Sequence, residues 1–184
     1  MTKKRLTFYL QGTLLLVAVF VATTNGLGQS DSKKEKIAKD SKEAKAEFIK
    51  SDPKMADLFS KAYGYAIFPN VGKGAVGIGG ASGNGVAYEN GTAIGTAKLT
   101  QVSIGFQWGG QAYREVIFFE SKEHMDRFKE SRVELSAQVS AVAAKSGASA
   151  NAKYVDGVMV FTMQKGGLMY EAAVGGQKFK FEKK

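Results

Sequence analysis

Five basic residues stand where the chain is expected to turn. Lys73, Lys98, Arg114, Lys165 and Lys178 each lie beside glycines, a turn signal or the end of an expected strand. Cations at loop ends can converge on a phosphate, and N–H groups of glycine-rich turns add donors to the same anion. The chemistry on offer is therefore recognition of an anion, with no bond made or broken. Residue sets for catalysis are not advertised. The absence of cysteine excludes disulfides, thiol nucleophiles and cysteine zinc sites. His124 is the single histidine, set among Lys122, Glu123, Asp126 and Arg127 as on an exposed helix. It supports neither a Ser-His-Asp triad nor a multi-imidazole metal site. Glu115 and Glu120 flank one apolar stretch, and paired carboxylates can hydrolyse glycosides; here they read as solvated strand ends. Gly72 to Gly77 matches G-x-G-x-x-G, but poor helix formers follow, so the helix N-terminus that a dinucleotide needs is not expected. We expect no catalytic residue, no metal and no cofactor.

The elements that must position these cations come from one domain's worth of chain, 184 residues with 44% hydrophobic and 23% charged content. Lys3, Lys4 and Arg5 precede a mostly apolar run from Leu10 to Val21, followed by small and polar residues through Gly28. That is the layout of a secretory signal, short for a membrane span of about 20 apolar residues. Cleavage after Gly28, Ala22 or Thr24 fits, and an uncleaved anchor is the alternative. The expected organisation is a signal peptide at 1–28, a charged helix or linker at 29–50 and a domain at 51–184. The net charge of +9 falls to +6 once the three bases of the first 28 residues are removed. That excess favours acidic partners such as anionic lipid headgroups. The expected address is periplasmic or extracellular. It argues against nucleic acid, for which no reading motif is present.

Ile37, Ser41, Ala44 and Phe48 form one narrow stripe, which predicts a helix lying on the domain with solvated outer faces. A basic amphipathic helix touching a membrane is the sharper alternative, with Lys33, Lys34 and Lys36 as further cations. Ser51 or Asp52 can cap a second helix; Met55, Leu58, Phe59 and Ala62 face inward and Gly64 stops it. From Tyr65 onward the chain reads as strands, and 13 of the 22 glycines lie between Gly64 and Gly110, too many for helices. Tyr65–Phe68, closed by Pro69, then Ala75–Gly79, Gly85–Tyr88, Thr92–Thr100, Val102–Trp108 and Glu115–Phe119 are predicted strands. Asn90-Gly91 marks a tight hairpin. Trp108 is expected in the core. Ser121 caps a short helix through Lys129. Val133 to Ala141 alternates apolar and polar residues, which predicts a half-buried strand. A loop at Lys145–Asn151 precedes a hairpin of Tyr154–Gln164 and Leu168–Val174, and Phe179 and Phe181 mark a last strand. The fold class is α+β, an antiparallel barrel or sandwich with a helical N-terminal segment and a short helix packed outside.

The order of motifs is distinctive. Ala62 to Gly74 reads AYGYAIFPNVGKG; Gly77-Ile78-Gly79-Gly80 and Gly85-Val86-Ala87-Tyr88 come next. Ile104 to Gln111 then reads IGFQWGGQ, and Gly166 to Glu171 reads GGLMYE. This series resembles the SYLF domain over roughly residues 45–182. The resemblance implies a lipid-binding module, because eukaryotic members bind phosphoinositides with help from an amphipathic N-terminal helix and some bind actin. Here the matching helix, residues 33–50, has a thin apolar stripe. Lys145-Ser146-Gly147-Ala148 stands where a Pro-Gly-Arg-like turn would be.

The expectation is a non-enzymatic, exported module that binds anionic phospholipid peripherally through Lys73, Lys98, Arg114, Lys165 and Lys178. The alternative is a structural or protein-interaction domain of the envelope without lipid preference. An enzyme would need a dry pocket with convergent polar groups.

Overall fold

The computed structural model describes residues 31–73, 80–102, 112–136, 138–165 and 174–184. The chain divides into two compact units, residues 1–36 and 37–184. Of the first unit only 31–36 are described, exposed residues at the start of helix α1 (31–51).

The second unit holds seven strands in one sheet: β1 (Gly64–Lys73), β2 (Gly80–Glu89), β3 (Thr92–Val102), β4 (Tyr113–Phe119), β5 (Ala141–Ala143), β6 (Val158–Gln164) and β7 (Gln177–Lys183). Their order is β5-β6-β4-β1-β2-β3-β7. All neighbours are antiparallel except β5 and β6. The α+β expectation therefore holds. The sheet is single and, among the described residues, its edge strands do not pair to close it. It nevertheless curls strongly. The Gln177 amide on edge strand β7 reaches the Glu115 carboxylate on β4, four places away in the order, at 3.0 Å.

The curl encloses one core. Phe68, Leu99, Ile117, Phe119, Val160 and Phe179 point inward from their strands. Met125 and Phe128 from α3 (Lys122–Lys129) complete that core. The outer face of β1, β2, β4 and β6 carries a second apolar layer, including Tyr65, Val86, Phe118 and Phe161. Helices α1 and α2 (Met55–Lys61) cover it with Ala44, Phe48, Met55 and Phe59. Phe59 meets Tyr65 and Phe118 edge-on at 5.0 and 4.9 Å, the geometry aromatic quadrupoles favour. The predicted stripe is thus the buried face of α1: Ser41, Ala44 and Phe48 are buried and Ile37 half-buried. That surface is already occupied by the sheet, so it is not the membrane-facing stripe of the alternative reading.

Asp52 holds the junction of the two helices. Its carboxylate accepts the Lys54 N–H at 3.2 Å and the Ser149 N–H at 2.8 Å. Burial alone would raise its pKa, but bonds from Ser149, Lys54 and Gly147 outweigh that and hold it below the ordinary value.

Four local expectations change. Gly64 does not stop α2, which ends at its C-cap, Ala62; it opens β1, paired with Glu89 and Phe119, where Met125 and the Tyr88 carbonyl leave no room for a Cβ. Pro69 does not end its strand; β1 continues through it by a bulge between Ile67 and Asn70, which tolerates a residue without N–H. Tyr154 to Gly157 is not strand but the approach to a tight turn, with Asp156 and Gly157 at positive φ. The alternating stretch from Val133 buries Val133, Leu135, Val139 and Ala141 as expected. It is not one continuous strand. Glu134 makes a lone bridge to Lys178, Leu135 exchanges backbone bonds with Gly176 and Gln177, and only Ala141–Ala143 pairs with β6. This stretch therefore touches both edges of the curled sheet. The predicted strand at 75–79, all but Val102 of the one at 102–108, and all but Val174 of the one at 168–174 lie outside the described residues, Trp108 among them.

Asn90 and Gly91 take φ of 50° and 78°, as a two-residue turn of the mirror-image type demands. Gly85 is needed for a different reason. A Cβ there would collide with the Ile67 carbonyl oxygen and come within 2.7 Å of the Phe68 ring. Because backbone must move, Gly85→Ala should cost about 3 kcal/mol, the upper range for overpacking. Urea unfolding checks it; a change below about 0.5 kcal/mol would mean β1 and β2 slide apart freely.

Candidate functional site: the outer face of the distal strands

Helices cover only part of the outer face. Beyond them, β3 and β7 alternate buried and solvated residues. Ala97, Leu99, Gln101, Phe179 and Gln177 turn inward, so Thr96, Lys98, Thr100, Lys178, Lys180 and Glu182 share the outer side. Register puts Lys98 directly opposite Lys180 on one side and Asn84 on the other, with Lys178 opposite Thr100. Like charges facing each other across a ladder oppose pairing. Two acids partly offset this: Glu134 lies 3.4 Å from Lys178, and Glu182 lies 3.7 Å from Lys180. The two lysine side chains remain 67% and 72% exposed, so these pairs are weak and exchangeable. Lys98 is exposed, and no acid stands opposite it in either ladder.

The structure therefore brings Lys98 and Lys178 together and adds Lys180. The sequence held the signal for Lys180, since it is in phase with Lys178 and out of phase with Phe179 and Phe181. Arg114 is half-buried on β4, opposite Met163 and separated from β3 by β1 and β2. Lys165 is exposed just past β6, its N–H bonded to the Ala112 carbonyl at 3.1 Å. Lys73 closes β1, but its side chain lies outside the described residues. By register, the ends at Lys73, Val102, Tyr113, Gln164 and Gln177 all lie at one end of the sheet. Lys33, Lys34 and Lys36 are exposed on the first unit.

His124 is half-buried and shares a 2.8 Å hydrogen bond between its Nδ1 and the Ser121 hydroxyl, the residue preceding α3. The contact spans one helical turn and ties the start of the helix. A cleft of about 430 Å³ opens beside it, between α3, Val133–Val139 and Asp156–Val158, with Arg127, Glu134 and Asp156 among its lining. Among the described residues no group of three His, Cys, Asp or Glu could hold a metal, and no helix is long and apolar enough to cross a membrane.

Glu115 corrects the sequence reading most sharply. It is not a solvated strand end: it is fully buried and faces the inside of the curl with Ile117 and Phe119, whereas Glu120 is exposed. The pair does not share a site. Gln177 donates to Glu115 Oε2 at 3.0 Å and lies 3.4 Å from Gln101 Oε1 and 3.5 Å from the Tyr113 hydroxyl. Thr162 pairs with Glu115 across the β4–β6 ladder. Glu115 Oε1, Thr162 Oγ1 and Gln177 Oε1 are buried without a partner. Burial pushes the Glu115 carboxyl up to about 8, and the Gln177 bond offsets only part of that.

The family model of Ysc84, described as Las17-binding protein actin regulator, matches residues 100–184. It takes in β4, β6 and β7, which carry Glu115, Lys178 and Lys180, but only the last three residues of β3, so Lys98 lies outside it. The chain carries a SYLF domain. A curated relative, beta cell expansion factor A of Aeromonas veronii, is 34% identical over 127 residues, which is 68% of this chain. The match covers 48% of that relative, so the chain spans about half the length of the curated protein it resembles. The family match bears out the SYLF resemblance over residues 100–184.

Proposed function

We propose that this SYLF domain is an exported binding module that docks on anionic phospholipid through the outer face of β3 and β7. The observation that carries the reading is Lys98 set directly against Lys180, with Lys178 two residues along. Opposed lysines oppose pairing in the isolated domain, and that penalty turns to advantage when phosphates lie over them. Their acidic partners are solvated and loosely held, so a headgroup can displace them. Arg114 and Lys165 provide further contacts at the end of the sheet. Residues 1–28 act as the export signal and 29–50 as the charged segment leading into the domain. The role is one of binding rather than catalysis. The family's actin-regulator description makes a structural or protein-interaction domain without lipid preference the second reading.

Vesicle co-sedimentation separates the two. The expected result is binding to vesicles doped with anionic lipid and none to zwitterionic ones. Added salt should reverse it, because charges beyond about 10 Å are screened at ~0.1 M. No binding to anionic vesicles at low salt sinks the lipid reading.

A further inference from the structure

We propose that the Glu115–Gln177 contact is a proton-operated latch, which keeps the start of β7 folded over β4 while Glu115 is protonated and releases it when the proton leaves. The inference does not rest on the lipid reading.

Its basis is the geometry of the curl. β4 and β7 are not sheet neighbours, so their approach at this end depends on side chains reaching across the enclosed space. Among the described residues, Gln177 makes that reach, to Glu115 and toward Tyr113. Gln177 also anchors the crossing stretch: Leu135 donates its N–H to the Gln177 carbonyl at 2.9 Å, and Gly176 donates to the Leu135 carbonyl at 2.8 Å. The side chain that meets Glu115 and the backbone that holds Leu135 belong to one residue.

The groups around Glu115 suit an uncharged carboxyl. From β4 it is faced by Tyr113 and Ile117, from β1 by Phe68, and from β6 by Thr162. β7 contributes Gln177 and Phe179, and β3 contributes Gln101 and Leu99. Tyr113 is the titratable group in this set, and burial pushes its hydroxyl above its ordinary range, so it stays neutral. Arg114 and Lys178, the adjacent cations in sequence, alternate to the outer face. No described Lys, Arg or His faces the carboxyl.

Ionisation has two opposed effects. A carboxylate strengthens the Gln177 hydrogen bond. It also creates a buried charge with one N–H donor and an oxygen, Oε1, that has none. The direction of the pKa shows that burial wins. Water relieves that charge most directly by entering at the end of the sheet, which parts Gln177 from Glu115 and loosens the hold on Leu135.

Site-resolved hydrogen exchange tests this. The amides of Leu135 and Gly176 would be followed from pH 6.5 to 9.5 as protection relative to the central-strand amides of Ala66 and Ile117. In the wild type, relative protection of Leu135 and Gly176 should fall at least tenfold as pH passes 8. In Glu115→Gln it should stay level. Gln177→Leu, which removes the latch and keeps an apolar fill, should give low protection at every pH. Unchanged relative protection in the wild type overturns the proposal without reference to any variant. An equal fall in Glu115→Gln overturns it too, by assigning the loss to another group.

Discussion

Glu115→Gln is expected to make the domain more stable at pH 8 and to remove most of its stability loss between pH 4.5 and 8. The sign is the reverse of an ordinary surface carboxylate. Unfolded, the group has a pKa of 4.5; folded, burial lifts it to about 8. Below 4.5 both states hold the proton and the group's penalty is absent. Between the two values the unfolded chain releases a proton that the folded chain keeps, so stability falls with rising pH. The slope is ~1.4 kcal/mol per pH unit. Above about 8 both states are ionised and the slope vanishes. A neutral glutamine escapes this, and its amide oxygen can accept the Gln177 N–H as Oε2 does. The gain at pH 8 should be on the order of a few kcal/mol. Urea midpoints of wild type and variant across this range measure it. A variant that keeps the wild-type slope, or is less stable at pH 8, would show that Glu115 ionises without cost.

The second large effect concerns the outer face. Lys98→Glu, Lys178→Glu and Lys180→Glu combined should weaken partitioning onto anionic vesicles by at least 100-fold. Each base near an anionic surface contributes about 1 kcal/mol, so losing three removes ~3 kcal/mol before any repulsion from the new acids. The native fold should survive, because all three side chains are solvated. The charge-matched control is Lys42→Glu, Lys50→Glu and Lys54→Glu on the exposed faces of the helical layer and its junction. It should retain most binding. Equal weakening by both sets would mean that net charge, not this face, carries the attraction.

What could be read from residues alone was local or periodic. Asn90-Gly91 was legible because its turn needs positive φ at both positions. The α1 stripe was legible because Ile37, Ser41, Ala44 and Phe48 repeat with a helix period. Lys98 and Lys178 were found as cations near turns, but their shared face depends on the β3–β7 register, which pairs residues about 80 apart. Glu115 was misread by giving weight to its place at a strand end; its phase with Ile117 and Phe119 pointed inward. Its partner Gln177 could not be found that way, since a contact between non-adjacent strands is set by how far the sheet curls. The Val133–Ala141 stretch shows the converse limit. Alternation reports which side chains are buried, and says nothing about whether the backbone has a ladder partner.

That stretch has a consequence for how copies of the protein meet one another. A bare sheet edge is a row of unpaired backbone groups able to recruit a strand from another molecule. Here one crossing segment lies against part of each border: Glu134 and Leu135 meet the start of β7, and three residues of β5 lie along β6. The border it leaves at β5 is only three residues long, too short to template much. The crossing segment thus acts as a guard against self-association, and its integrity should govern how concentrated the protein can become before it aggregates.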